Sequence, residues 1–152
     1  MINAVDRLGG GVLDPVLAEI MEAMTFAGVE RVEEDEFAWD DADLVWARVD
    51  LIAPAAGDFW MVAPREAAVE LTDVVWAGEI EANSETAQAL MAEIVNAVAG
   101  QILAVLDDEA TVHLGLPETG NGKVRPTDFE EARHAYYMDD GTPLGVLIRA
   151  AA

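Results

Sequence analysis

The stretch LMAEIVNAVAGQ, residues 90–101, decides the fold, because it forms the centre of an apolar run from Ala89 to Leu106 that is long enough for a core helix. Ser84 precedes the run and can cap a helix that continues to about Leu106. At 100° per residue, Glu93 and Asn96 fall on the side opposite the apolar stripe. The stripe, which must face a sheet, consists of Met91, Ile94, Val95, Val98, Ile102 and Val105.

The outer side of this predicted helix is unusually poor in large side chains. Glu93 and Asn96 project there among Ala89, Ala97 and Gly100. Glycine inside a helix costs about 0.5–1 kcal/mol relative to alanine, and close approach of a partner would be one reason to keep it. Residues three apart on a helix are surface neighbours, so a carboxylate and an amide could bind the same site on a partner molecule. By pattern alone, however, such a pair is most often merely solvated.

The rest of the sequence predicts an α+β fold, a mainly antiparallel sheet covered by helices, in a single domain spanning residues 1–152. Asp14 and Pro15 are typical of a helix start, and Gly28 offers a stop. The predicted elements before the long helix are a helix at about 14–27, an edge strand within 29–37, a hairpin of strands 44–51 and 59–62, and a helix opened by Pro64 and ended by Gly78. This last helix should turn five residues towards the core: Ala67, Ala68, Leu71, Val74 and Val75. After the long helix, a strand at 111–116, a loop at 118–123 and a second hairpin of strands 135–138 and 144–148 are predicted.

Composition excludes several function classes. Thirty acidic residues against eight Lys and Arg give a formal net charge of −22, which would repel a nucleic-acid backbone. The absence of cysteine excludes disulfides and thiol catalysis.

The first residues show no basic region followed by an apolar stretch, so no signal peptide is recognised and a cytoplasmic location is expected. The apolar run carries Glu93, Asn96, Gly100 and Gln101, which are costly in lipid, and therefore no membrane association is expected.

The usual signatures of metal sites are missing from the sequence. His113 and His134 have no further His or Cys at metal-ligand spacing, so no metal site is predicted. Asp40, Asp41 and Asp43 begin like a calcium loop but lack its glycine and distant glutamate. No Ser with a nearby His and acid suggests a catalytic triad, although residues distant in the sequence could meet in the fold.

Three segments in order resemble the CheC/CheX/FliY family of chemotaxis phosphatases. AEIVNAVAGQILAVL, residues 92–106, is similar to that family's E-x-x-N helix with its downstream glycine. VHLGLPETGNGK, residues 112–123, resembles its following strand, proline and glycine loop, and DFWMVAPREAAVELT, residues 58–72, its strand leading into a proline-started helix. The chain departs from the family pattern at Ala89, where Asp or Ser is usual. The first helix has Glu19 followed by Glu22 rather than a second E-x-x-N, so the single-site CheX branch is implied.

The resemblance implies a protein phosphatase that accelerates hydrolysis of the phospho-aspartate of a CheY-like receiver domain, in chemotaxis or other two-component signalling. Asn96 would orient the attacking water, and Glu93 would pair with a receiver lysine. Ala89, Ala97, Gly100 and Pro117 would contact the partner. The chain itself would hold no cofactor, since Mg²⁺ would belong to the receiver, and association through sheet edges would give a homodimer. The alternative is a non-catalytic adaptor of the same fold that binds a receiver or a flagellar-switch protein, which Ala89 and the strong acidity favour.

Overall fold

The computed structural model describes residues 9–124 and 133–150, which form three helices and seven strands. The expectation about a signal peptide concerns the N-terminal residues, of which 1–8 lie outside the described part. In chain order, the elements are α1 (Gly9–Thr25), β1 (Val29–Val32), a 3₁₀ turn (Glu34–Glu36), β2 (Leu44–Ala53), β3 (Gly57–Pro64), α2 (Arg65–Val75), α3 (Ser84–Leu106), β4 (His113–Leu114), β5 (Glu118–Asn121), β6 (Arg133–Met138) and β7 (Pro143–Ala150).

The strands form one antiparallel sheet in the order β1-β6-β7-β3-β2-β4, and β5 also pairs with β2. Both predicted hairpins are present, β2 with β3 and β6 with β7, and β1 is the predicted edge strand, although it is shorter than the sequence indicated. The α+β fold class predicted from the order of elements is confirmed. Alternation of apolar and polar residues predicts β2 correctly because this strand buries one side, with Val45, Ala47 and Val49, against the helices.

The two faces of the sheet are covered differently. Val45, Ala47 and Val49 of β2 point towards the three helices and belong to the main core. On the opposite face, a smaller cluster forms where Phe37 and Trp39 pack over β3 and β7. The helices therefore occupy one face, and α3 lies in direct contact with β2.

Helix α3 is apolar and long enough, by length and composition, to cross a membrane, and it is the one helix of the described residues for which this holds. In this fold, however, it is a core helix that packs against the sheet, α1 and α2. Its buried residues are Ala87, Leu90, Met91, Ile94, Val95, Val98, Ala99, Ile102 and Leu103. The predicted stripe is thus buried except for Val105, which is 48% exposed.

The predicted start of the first helix at Asp14 is wrong. Helix α1 is already present at Gly9, and the Asp14 carboxylate accepts hydrogen bonds from Arg31 and Tyr136 instead of capping. Pro15 is tolerated inside the helix because the carbonyl it leaves without a donor belongs to Gly11, which is exposed to water. The helix ends at Thr25, before its predicted end.

Two further details of the helices differ from the prediction. Asn83 rather than Ser84 caps α3, since its side chain accepts from the Thr86 backbone N–H at 3.0 Å. In α2 the buried face includes Thr72 in place of Val74, which is 62% exposed. The Thr72 hydroxyl donates to the Ala68 carbonyl at 2.8 Å, so it enters the core with its polar group satisfied.

The segment after α3 also folds differently from the prediction. The strand expected at 111–116 is reduced to the two residues of β4, and the expected loop at 118–123 contains strand β5. β5 pairs with β2 from Arg48↔Glu118 to Val45↔Asn121. Residues 115–117 are therefore a short connection between two strands that are both anchored to β2.

Candidate functional site

Glu93 and Asn96 are both exposed on α3, on the side that faces away from the sheet, as the helical periodicity predicts. The helix between them is held rigidly by the buried neighbours Ile94 and Val95, which pack in the main core. One helical turn therefore presents a carboxylate and an amide to solvent at a fixed separation along the axis, about 4.5 Å between their positions.

The two side chains line a surface cleft of about 530 Å³. Its other wall is the connection between β4 and β5, which includes the predicted contact residue Pro117. The complete lining consists of Ala92, Glu93, Asn96, Val112, Leu114, Gly115, Leu116 and Pro117. The fold thus brings together three of the residues singled out in the sequence, although Pro117 lies far from the other two along the chain.

The cleft is held open by contacts at its two ends. At one end the Thr119 hydroxyl of β5 donates to the Gln88 side-chain oxygen of α3 at 3.0 Å. At the other end Leu114 of β4 lies against the helix at Gly100, where an added Cβ would be 3.8 Å from the leucine methyl. Both walls are therefore tied to each other, and the spacing between them does not depend on a ligand.

The polar pair at the mouth of the cleft has no structural task within the described residues. Over residues 9–124 and 133–150, no hydrogen bond or ion pair engages the side chain of Glu93 or Asn96. Other polar side chains near the cleft are engaged, for example Arg48 with Glu118 at 3.1 Å. The pair is therefore available to an incoming group without the loss of an existing contact.

The remaining predicted contact residues flank the cleft instead of lining it. Ala89 is exposed, and Ala97 and Gly100 are half-buried on the same side of α3. An alanine at Gly100 would make an ordinary contact with Leu114, so the packing of this chain does not require glycine there. Its role in approach by a partner stays a prediction.

Sequence reasoning missed the apolar part of the cleft. Ala92, Val112, Leu114, Gly115 and Leu116 contribute to it and were not chosen as site residues. The available signal was the apolar residue Leu116 next to Pro117, just before the turn residues of 118–123. Leu116 was instead interpreted as the end of the predicted strand 111–116. Only the pairing of β4 and β5 with β2 shows that it faces α3.

A second polar cluster ties α1 and β1 to β6, on other elements than those of the cleft. The Arg31 side chain binds the Asp14 carboxylate, lies 2.9 Å from His134 Nδ1 and donates to the Tyr136 hydroxyl. Burial, together with the nearby Arg31 charge, lowers the pKa of His134 to about 4. Burial alone would raise the pKa of Asp14, but the hydrogen bonds from Arg31 and Tyr136 prevail and hold it below its usual value. This cluster joins the first helix to the sheet.

The part of the chain that the structure describes contains no group of three or more His, Cys, Asp or Glu side chains placed to hold a metal ion. His113, which the sequence analysis had considered, is exposed on β4. The chemistry that the cleft itself can supply is therefore hydrogen bonding by an amide, charge pairing by a carboxylate and apolar contact.

Comparison with known proteins places this arrangement in a structural class. No family model matches the sequence, and no curated protein sequence is similar to it. Among solved structures, CheX from Desulfovibrio desulfuricans is similar with a TM-score of 0.69 and 12% identity, covering 93% of this chain and 98% of that chain. FliY from Thermotoga maritima has a TM-score of 0.63 at 14% identity, covering 97% of this chain and 90% of that chain. A chain of the CheX-CheY-BeF3-Mg²⁺ complex from Borrelia burgdorferi has a TM-score of 0.60 at 13% identity, covering 90% of this chain and 95% of that chain.

The protein therefore has the fold of the CheC/CheX/FliY family of chemotaxis proteins, as the resemblance of its motifs predicted. With identities of 12–15%, this is a likeness of fold that extends over nearly the whole chain.

Proposed function

We propose that this protein is a CheX-like phosphatase that accelerates hydrolysis of the phospho-aspartate of a CheY-like receiver domain. The observation that carries the proposal is the exposed, unengaged pair Glu93 and Asn96 at the mouth of a preformed cleft. A pair with no structural role, held by a rigid core helix, is suited to enter a partner's active site. The complex of CheX with CheY among the similar structures supports a receiver domain as the partner.

In the proposed reaction a water molecule attacks the phosphorus of the receiver's acyl phosphate, and the bond from phosphorus to the aspartate oxygen breaks. The receiver recovers its carboxylate, and inorganic phosphate leaves. Asn96 would hold the water in line with the breaking bond, a positioning role that phosphoryl-transfer catalysts commonly use. No covalent intermediate on this chain is required. The Mg²⁺ of the receiver would neutralise phosphoryl charge.

Glu93 would fix the position of Asn96 by pairing with a lysine of the receiver. A charge-assisted hydrogen bond from an ammonium group to a carboxylate is stronger than a neutral one and sets the register between two surfaces. Because Glu93 precedes Asn96 by one helical turn, the ion pair would constrain the amide without sharing its site. The receiver domain is a cytoplasmic signalling module, so the expected cytoplasmic location forms part of the proposal.

The test is phosphate release from a phosphorylated receiver. Receiver domains of the same genome are phosphorylated with acetyl phosphate, and the decay of each is followed with and without this protein. We expect a shortened lifetime for at least one receiver and its return to the spontaneous value with Asn96→Ala. Gln101→Ala is the matched control, since Gln101 is an exposed amide on α3 outside the cleft. Equal acceleration by wild type and Asn96→Ala would refute the role of Asn96.

Glu93→Gln tests the second role separately. We expect a weaker encounter with the receiver, seen as a higher KM, because the lysine contact loses its charge. Glu70→Gln is the control, since Glu70 is an exposed carboxylate on α2. An unchanged KM for Glu93→Gln would show that the carboxylate does not pair with the receiver.

The second candidate is a non-catalytic adaptor that binds a receiver or flagellar-switch protein. Ala89 favours it, because the family pattern has a polar residue there and this chain has an exposed alanine. The net charge of −22 favours it as well, since repulsion from an acidic receiver slows encounter. Saturable binding with an unchanged phosphate lifetime would support the adaptor, and Ala89→Asp or Ala89→Ser would then be expected to raise the rate of hydrolysis.

The homodimer implied by the resemblance is part of the proposal too. β1 and β4 are the end strands of the described sheet. Light scattering in solution checks the mass, and a monomeric mass at micromolar concentration would remove the dimer from the proposal.

A further inference from the structure

Leu116 is the most exposed large apolar side chain among the described residues, at 89% of its full exposure. None of the other exposed large apolar residues of the described part, such as Val74 at 62%, lines the cleft. Leu116 instead lines the cleft that carries Glu93 and Asn96. An apolar side chain held in water beside an unengaged polar pair is typical of a surface that a partner covers.

The position of Leu116 is fixed by its neighbours on both sides. The Gly115 backbone N–H donates to the Asp50 carbonyl at 2.9 Å, which anchors the connection to β2 on one side. On the other side Pro117 restricts the backbone, and Glu118 begins the paired strand β5. The side chain is thus presented by a short braced connection, and little backbone entropy remains to be lost when a partner covers it.

The charge distribution indicates what kind of surface would cover it. The chain has thirty acidic residues and a net charge of −22, yet Glu93 is the one charged residue among the eight that line the cleft. The lining is otherwise small or apolar, apart from Asn96. Asp50 and Glu118, which border the connection that carries Leu116, are both paired with Arg48. An anionic phosphorylation site would therefore meet less repulsion at this wall of the cleft than at the unpaired carboxylates elsewhere on the protein.

We infer that Leu116 is a docking residue that contacts an apolar side chain of the receiver beside its phosphorylation site, and that it sets affinity and receiver choice. This inference rests on the proposed function. Glu93 and Asn96 would make the polar contacts from α3, while Leu116 supplies an apolar contact from the opposite wall. Two contacts from separate elements fix the orientation of a partner better than one, which selects receivers with an apolar residue at the matching place.

The kinetic experiment separates docking from catalysis. The substrate is the phosphorylated receiver that wild type dephosphorylates fastest among those of its genome, used over a range of concentrations. For Leu116→Ser we expect KM to rise at least about 10-fold, the range for loss of a buried apolar contact, with kcat within about twofold of wild type. The conservative variant Leu116→Met should keep KM within about threefold of the wild-type value. Val74→Ser, which removes an exposed apolar side chain on α2 outside the cleft, should leave both constants unchanged.

A binding measurement tests the same inference without turnover. The receiver is loaded with beryllofluoride and Mg²⁺, and its Kd is measured by calorimetry for wild type, Leu116→Ser and Val74→Ser. Because Leu116 is nearly fully exposed, Leu116→Ser should keep the wild-type Tm, which excludes misfolding as the cause of weaker binding. We expect Kd to rise by the same factor as KM.

The outcomes are distinguishable from failure of the proposed function. If wild type binds a receiver without accelerating phosphate loss, and Leu116→Ser weakens this binding, the phosphatase activity is refuted and the docking role is supported. Faster phosphate loss by wild type with unchanged KM and Kd in Leu116→Ser refutes the docking role alone. A dimer of wild type that Leu116→Ser dissociates would show that a second copy covers this residue, and would also overturn the inference. Failure of wild type to bind or dephosphorylate any receiver would overturn both.

Discussion

Gly120→Ala is expected to destabilise the protein although it adds a single methyl group. Gly120 of β5 lies directly opposite Trp46 of β2 in the sheet. A Cβ there would lie 2.4 Å from Trp46 Cζ2 and 2.7 Å from Cε2, well inside contact distance. The ring cannot move freely, because Trp60 packs against it with ring centroids 5.2 Å apart. Overpacking of this kind costs about 2 kcal/mol, which lowers Tm by about 4–8 °C in a domain of this size.

Urea and thermal unfolding followed by circular dichroism measure this loss, and Gly11→Ala is the control. Within the described part of the chain, a Cβ added at Gly11 meets no atom within 4 Å beyond its chain neighbours and its own helix backbone, so that variant should gain about 0.5–1 kcal/mol of helix propensity. A double-mutant cycle then isolates the clash: in a Trp46→Leu background, Gly120→Ala should cost at least about 1 kcal/mol less than in wild type. Equal costs in both backgrounds, or a Gly120→Ala protein as stable as wild type, would refute the reasoning.

Three further predictions concern other parts of the chain. Gly100→Ala should stabilise the protein by about 0.5–1 kcal/mol in urea unfolding while slowing receiver dephosphorylation, because the methyl group fits the fold but stands on the docking side of α3. The folded-state pKa of His134 is about 4, below the ordinary 6.5, so the unfolded chain takes up a proton first as pH falls, and stability contributed by neutral His134 is lost between pH 6.5 and 4. This loss should stay below about 3 kcal/mol at pH 4, because solvent screens a ring that is only partly buried. The difference in stability between wild type and His134→Gln, measured from pH 7 to pH 4, isolates it from titration of the many carboxylates. Asn83→Ala should cost about 1 kcal/mol and Ser84→Ala much less, since the Asn83 side chain is the one that caps α3.

The candidate polar pair was predictable because it depends on one helix alone. A helix repeats its faces every 3.6 residues, so the sequence determines that Glu93 and Asn96 share a side opposite the buried residues Ile94 and Val98. The structure agrees, with both polar residues exposed. The role proposed for this pair rests on resemblance, and periodicity by itself could not distinguish it from ordinary solvated residues.

Capping and the buried face of α2 were less predictable, because near neighbours in the sequence compete for the same role. Asn83 and Ser84 are both good capping residues, and the hydrogen bond with Thr86 selects the first. Asp14 is also a good cap, but the ion pair with Arg31 uses its carboxylate for a tertiary contact. Local rules describe what a side chain can do, and its distant partners decide among the alternatives.

The sequence alone determined the class of fold, the two hairpins, the long helix and the outward direction of Glu93 and Asn96, since all of these follow from local periodicity. Tertiary structure alone decided that residues 118–121 form a strand on β2, and that Leu116 and Pro117 consequently face α3 across a cleft. The physical reason is that the short strands β4 and β5 have too few residues to show alternation, and they exist because β2 offers unpaired backbone groups. The apolar wall of the site thus depends on strand pairing, whereas the helical periodicity of the sequence determines the polar wall.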